Sequence, residues 1–196
     1  MPLLDHFHPP LSLKYGWESF YSNWATRLAD AINAQLPPDF FAEELCRFPD
    51  TYRVSVIRST ASDPGTVSLI ELITPANKEH VTNRRAFAER WFDLMRAGFG
   101  LVMVDIVTSR ARNLHNEVAA LVTSDPKASF RGETRQYAVA YRTQTDGGRQ
   151  NLAFWPHRLT VGEQLPTLPL FLASDLCIPV DLEATYAEAC RRRRII

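Results

Sequence analysis

The stretch SLIELITPANKEH, Ser68 to His80, sets one carboxylate, Glu71, in an apolar run of strand length and follows it with Pro75, Asn77 and Lys78. A carboxylate among apolar neighbours needs a cation, either a metal ion or a basic side chain, because an unpaired buried charge is very costly. Asp50, in FPDTYRV, is the acid placed to act with it. The runs TYRVSVIRS (51–59) and TVSLIELIT (66–74) flank the turn signal Asp63-Pro64-Gly65. They predict an antiparallel hairpin that brings the Glu71–Pro75 end beside Asp50. Two carboxylates at adjacent strand ends can share one cation.

A basic side chain within reach can balance such a carboxylate. Arg90 lies about 60° round a helix from Phe87, bordering the stripe Phe87, Trp91 and Leu94, so it can reach along the sheet toward Glu71. Arginine holds phosphate well but stays protonated at neutral pH and cannot transfer a proton. Arg90 is thus compatible with phosphate binding and unsuited to proton transfer. Asn77, Lys78 and Arg84, in the turn and helix after the strand, are further candidate anion contacts.

Each residue also has a purely structural role open to it. Glu71 can pair with Arg84 or Arg90 across a sheet–helix seam, Asp50 can be a turn acid, and Asn77 can cap a helix. Asp105 ends an apolar strand, from which it can reach the site or pair with Arg110 or Arg112. Trp155 and His157, near LPTLPL, could line a small-molecule pocket.

The elements that must position these groups are legible from periodicity. Residues 1–14 read as an extended arm. Trp17, Phe20, Tyr21, Trp24, Leu28, Ile32 and Leu36 then form one helical stripe, stopped by Pro37-Pro38. FFAEELCRF reads as a short strand before the hairpin, and Pro75 as the end of the hairpin's second strand. A helix runs from about His80 to Gly98, GLVMVDIVT is an interior strand, and NLHNEVAALV a short helix. QYAVAYRTQ and QNLAFWPHRL pair across Asp146-Gly147-Gly148. A proline-rich passage leads to a last helix capped by Asp181. The order α, β, β, β, α, β, α, β, β, α predicts an α/β (α+β) fold: a single mixed β-sheet flanked by helices, in one domain spanning 1–196.

Bulk properties narrow the functions. Lys+Arg and Asp+Glu both number 22 in 196 residues, so binding of a polyanion must come from a local groove and not from net charge. Cys46, Cys177 and Cys190 are far apart and have no metal-ligand spacing, as expected of free thiols in a reducing compartment. The five histidines share no zinc spacing either, and there is no P-loop, no G-x-G-x-x-G and no G-x-S-x-G. No window approaches the ~18 apolar residues of a membrane span, and the N-terminus lacks a signal-peptide pattern, which predicts a cytoplasmic protein with no membrane partner. Arg191–Arg194 complement the last helix's dipole.

The motifs IELITPANKEH, NRRAFAERW, GFGLVMVDIVTSRARNLHNE, YAVAYR, LPTLPLFL and IPVDLEATYAEACR resemble the bacterial family called domain of unknown function 4058, in order and over nearly the whole chain. Members usually carry a longer segment between the first helix and FPDTYRV. The family implies no established activity. More distantly, a strand glutamate, a Thr-Pro turn, a basic helix, a Gly and an apolar strand ending in Asp resemble the Uma-type branch of the PD-(D/E)xK nuclease superfamily. That resemblance implies a restriction-endonuclease-like α-β-β-β-α-β core, here followed by a C-terminal hairpin and helix. It also implies Mg²⁺ on Asp50 and Glu71, and a lysine where Arg90 stands, eight residues before Gly98. Two readings follow. One is a Mg²⁺-dependent nuclease or phosphodiesterase acting on nucleic acid. The other is a non-catalytic, degenerate module that works by binding or assembly, with a homo-oligomer one form this could take.

Overall fold

The computed structural model describes residues 1–60, 64–146, 149–173 and 176–196. Asp63 of the first turn signal and Gly147-Gly148 of the second lie outside the described residues. Helix α1 (Trp17–Asn33) follows the predicted stripe and buries Phe20, Tyr21, Trp24, Leu28 and Ile32. Strands β1 (Phe40–Arg47), β2 (Thr51–Arg58) and β3 (Gly65–Leu72) come next, then helices α2 (Pro75–Glu79) and α3 (Val81–Arg96). They are followed by β4 (Gly100–Asp105), α4 (Leu114–Val122), β5 (Tyr137–Asp146), β6 (Arg149–Arg158), β7 (Thr167–Phe171), β8 (Cys177–Asp181) and α5 (Leu182–Arg192).

Strands β1 to β6 form one six-stranded mixed sheet in sequence order, antiparallel except for the parallel β3–β4 pair. The parallel pair is where the chain crosses over through α2 and α3, as a parallel connection requires. The architecture is the expected α+β class, with a second, two-stranded sheet of β7 and β8 added.

Side-chain alternation sorts the sheet into two cores. Ile70, Leu72, Val102 and Val104 pack with α1, α5 and the β7–β8 hairpin. Leu69, Ile73, Leu101 and Met103 pack with Phe87, Trp91 and Met95 of α3 and Leu114 and Val118 of α4. Glu71 lies between Leu69 and Ile73, so the same alternation delivers its carboxylate to the α3 side.

Two expectations change. The N-terminal arm is docked, not simply extended: Leu3 is buried and exchanges backbone hydrogen bonds with Glu163 and Gly162, and Leu11–Leu13 form a 3₁₀ turn. His6 stacks on Phe20 at 4.0 Å and shares a 2.7 Å hydrogen bond with the Tyr186 hydroxyl. The proline-rich passage supplies β7 and β8, with Pro169 opposite Pro179. Proline is tolerated there because no further strand must pair with either one. No helix among the described residues is long and apolar enough to cross a membrane.

Gly100 marks where this hairpin meets the main sheet. A Cβ there would stand 1.8 Å from the Phe171 carbonyl oxygen, which also accepts a 2.5 Å hydrogen bond from Ser68 Oγ. Gly100→Ala should therefore push β7 off the sheet and cost roughly 2–3 kcal/mol, read by urea denaturation.

Burial also sets a pH limit. It pushes the imidazoles of His6 and His115 down from the ordinary value to about 4, against small opposing effects of Asp5 and of the hydrogen bond to Ala128 respectively. Both rings are thus neutral in the fold and charged in the unfolded chain between about pH 6.5 and 4. Their contribution is complete above pH 6.5 and is lost as pH falls through that window. The loss should reach ~3 kcal/mol per histidine in unfolding titrations, and His115→Asn should flatten the pH dependence by about half.

Candidate functional site

The hairpin register places the site. Arg53 of β2 is opposite Glu71 of β3, and Glu71 is beside Met103 of β4. Helix α3 covers β3 from above and sends Arg90 down to the glutamate. Arg90 Nη2 lies 2.8 Å from both Glu71 oxygens, and Arg53 Nη2 lies 3.5 Å from Oε2. The carboxylate is 1% exposed, whereas both arginines keep part of their side chains in solvent. Arg90 also lies over the Phe87 ring at 5.1 Å, which fixes its guanidinium plane. Two guanidiniums thus share one carboxylate, and they do not exhaust their donors on it. Arg53 Nε and Arg90 Nη1 are both shut off from solvent and meet no hydrogen-bond acceptor.

These side chains line a cleft of about 430 Å³ with Asp50, Thr51, Ala76, Asn77, Asn83, Ala86 and Phe87. Its near wall is built by capping. Pro75 does not end the strand's story as a simple stop; it opens α2 behind the N-cap Thr74. Asn77 Oδ1 accepts from the Thr74 N–H at 2.9 Å, and Thr74 Oγ1 accepts from the Asn77 N–H at 3.4 Å. Asn77 Nδ2 then donates to the Asp50 carbonyl at 3.0 Å, tying the β1–β2 loop to α2. Asp50 itself is exposed at the rim, its carboxylate accepting from the Thr51 hydroxyl at 3.1 Å.

The structure therefore brings Asp50, Glu71, Arg90 and Asn77 to one cleft. It does not bring Lys78 and Arg84. Lys78 runs under α2 into the core, with its side chain 0% exposed, and stands 2.9 Å from Asp105 Oδ2, itself 0% exposed. Its ammonium also donates to the carbonyls of Arg135 at 3.1 Å and Val107 at 3.5 Å. It can touch no external anion. Arg84 is held by Glu117 of α4 at 2.7 Å and donates to the carbonyls of Lys78 and Glu79 at the end of α2. It therefore reaches neither the cleft nor Glu71. Asp105 takes Lys78 as partner in place of Arg110 or Arg112. Its Oδ1 accepts from the Val107 N–H at 3.0 Å, while Oδ2 is ion-paired with the ammonium at 2.9 Å. Burial pushes the Asp105 carboxyl above the usual carboxylate range, and Lys78 pulls it back.

The sequence reading missed Arg53. The signal was available, since an inward position on β2 facing Glu71 follows from the strand period, but the register shift between Val56 and Ile57 blurs the count from the turn. Near the expected small-molecule pocket, Trp155 packs on Phe171 at 5.0 Å and His157 is exposed.

The donor set does not suit Mg²⁺ as it stands. Glu71 would have to surrender two guanidiniums, and among the described residues no third acid, histidine or cysteine joins the pair. No family model, no curated protein and no solved structure matches the chain.

The buried Lys78–Asp105 pair yields a test. Lys78→Met strands a carboxylate in the core and should cost ~3–5 kcal/mol in chemical denaturation. Lys78→Met with Asp105→Leu removes both charges and should recover most of that loss.

Proposed function

We propose that the cleft between β2, β3 and α3 binds an oxyanion, a phosphate group before others, and that the protein works by binding and not by hydrolysis. The observation that carries this reading is the pair Arg53 and Arg90. They share the single carboxylate of Glu71, and each keeps a buried N–H without an acceptor. Once the partly solvated guanidiniums turn outward, a phosphate would satisfy those donors by charge-assisted hydrogen bonds, the strong kind, and guanidinium geometry suits its oxygens. Glu71 is then the group that holds the two arginines in register, as a buried carboxylate can do when its partners are partly solvated. Zero net charge fits a local contact of this sort, with no long-range steering of a polyanion.

The resemblance to the domain of unknown function 4058 and to the PD-(D/E)xK nucleases fits the same cleft at the level of element order, and on this reading the chain is a member that has lost hydrolysis. Arg90 supports it chemically, being unable to exchange a proton at neutral pH. Asp50 and Glu71 do line one cleft, and the Mg²⁺-dependent phosphodiesterase reading rests on that.

One calorimetric series separates the two. Inorganic phosphate and a short oligonucleotide should bind the wild-type protein saturably, and Arg90→Gln should weaken that binding about tenfold or more. MgCl₂ should give no specific heat. Mg²⁺ binding that disappears in both Glu71→Gln and Asp50→Asn, with no phosphate binding in its absence, would overturn the binding-module reading in favour of the hydrolase.

A further inference from the structure

Strand β1 is one edge of the six-stranded sheet. Ala42 turns its backbone away from β2: its N–H donates to Asn33 Oδ1 at 2.7 Å and its carbonyl accepts from Asn33 Nδ2 at 2.8 Å. In an antiparallel ladder this orientation alternates, so Glu44 and Cys46 also turn their N–H and C=O groups outward. Asn33 thus blocks the edge at Ala42, a common way to protect an edge strand. Beyond that block, Glu44 and Cys46 find no backbone partner on their outer side among the described residues. The odd-numbered side chains of β1 lie on the sheet face that α3 covers farther in, but no helix reaches them. Phe41 is 42% exposed and Leu45 37%, Glu43 and Arg47 are exposed, and Phe48 follows at 70%.

We infer that β1 pairs antiparallel with β1 of a second copy of this chain, about a two-fold axis at Leu45. In this register Glu44 faces Cys46 of the second copy and Cys46 faces its Glu44, so the unblocked residues exchange four backbone hydrogen bonds. Leu45 meets Leu45 at the axis. Glu43 stands directly opposite Arg47 of the second copy, and Arg47 opposite its Glu43, which gives two opposite-charge cross-strand pairs on the open face.

The neighbouring registers fail. Centring on Glu44 opposes two glutamates and needs the backbone groups of Ala42 that Asn33 already holds. Centring on Cys46 sets Glu44 against Phe48, where β1 has ended, and loses both charge pairs. The charge pattern and the backbone block therefore select the same register independently.

The pairing has a consequence for the cleft. Leu45, Arg53 and Glu71 form one cross-strand row. Across the axis the row continues through Leu45, Arg53 and Glu71 of the second copy. Five strand spacings separate the two glutamates, about 24 Å. Both clefts then open on the same face of one continuous sheet, with the exposed Phe41 and Leu45 side chains as the floor between them.

Sedimentation equilibrium from low micromolar to several hundred micromolar tests this on the full chain. The wild type should approach twice its 22.3 kDa mass. Glu43→Arg and Arg47→Glu should each weaken association about tenfold or more by setting like charges opposite one another. The double variant E43R/R47E restores both pairs with reversed sign and should dimerise like wild type. Both positions of the test are exposed strand sites, and thermal melts of the three variants by circular dichroism should show unchanged folding. A wild type that stays monomeric throughout, a dimer indifferent to the single reversals, or a double variant that remains monomeric would overturn the proposal.

Discussion

Two charges without access to water, Lys78 and Asp105, tie the turn after β3 to the end of β4, and the site is assembled on that tie. Their pairing holds α2 down on the sheet. With α2 in place, Asn77 at its third position can both close the capping box on Thr74 and hold the Asp50 carbonyl. The β1–β2 loop, which would otherwise be a free surface segment, becomes a wall of the cleft. Arg84 reinforces the arrangement from behind by taking the carbonyls at the end of α2 and bridging to Glu117 on α4. A buried ion pair contributes little net stability compared with apolar packing, and its usual value lies in fixing one arrangement over others. Here the arrangement fixed is the geometry of the turn.

Glu71 and its arginines work under the opposite exposure. The carboxylate is buried and the guanidiniums are not wholly so, which makes the dependence one-sided: Glu71 needs the arginines more than they need it. An arginine with part of its surface in water can turn toward an incoming anion at modest cost, whereas a second cation drawn to Glu71 must first displace two that are already bound by hydrogen bonds. On the proposed reading, a preference of the cleft for an anion follows from burial and not from a count of its charges, which sum to zero over Arg53, Arg90, Glu71 and Asp50.

How much of this was legible in the sequence depends on the range of the signal. The α1 stripe, the α3 helix with its glycine stop and the apolar β4 run are local periodicities, and the helices and strand formed where they predicted. Glu71 as an inward carboxylate followed from its neighbours, and Arg90 as its reachable partner followed from helical phase. What failed was chemistry decided by tertiary burial. Lys78 reads as a turn lysine because nothing local says that α2 will be pressed onto the sheet, and a lysine's long apolar stem lets it follow the burial. Pro75 reads as a strand end because proline signals both a stop and a first helical position. The prolines of β7 and β8 conceal a hairpin that exists only because Leu168, Leu170, Ile178 and Val180 find the α1–α5 layer.

The location of the cleft is itself a result of topology. The one parallel connection in the sheet runs from β3 to β4, and its helix must lie over those strands to return the chain. Helix α3 therefore covers β3 and β4 but leaves β1 and β2 bare on that face, which is why Arg53, Ser55 and Ile57 are only half-buried while Val54 and Val56, on the α1 side, are fully so. A cleft forms where the helix edge overhangs the uncovered strands, and the residues there are the last of α3's inward side and the first of β2's open one. A carboxylate placed one strand farther in would be sealed under α3, and one placed a strand farther out would be in water. Glu71 stands at the boundary, buried enough to demand partners and close enough to solvent that those partners stay partly in water.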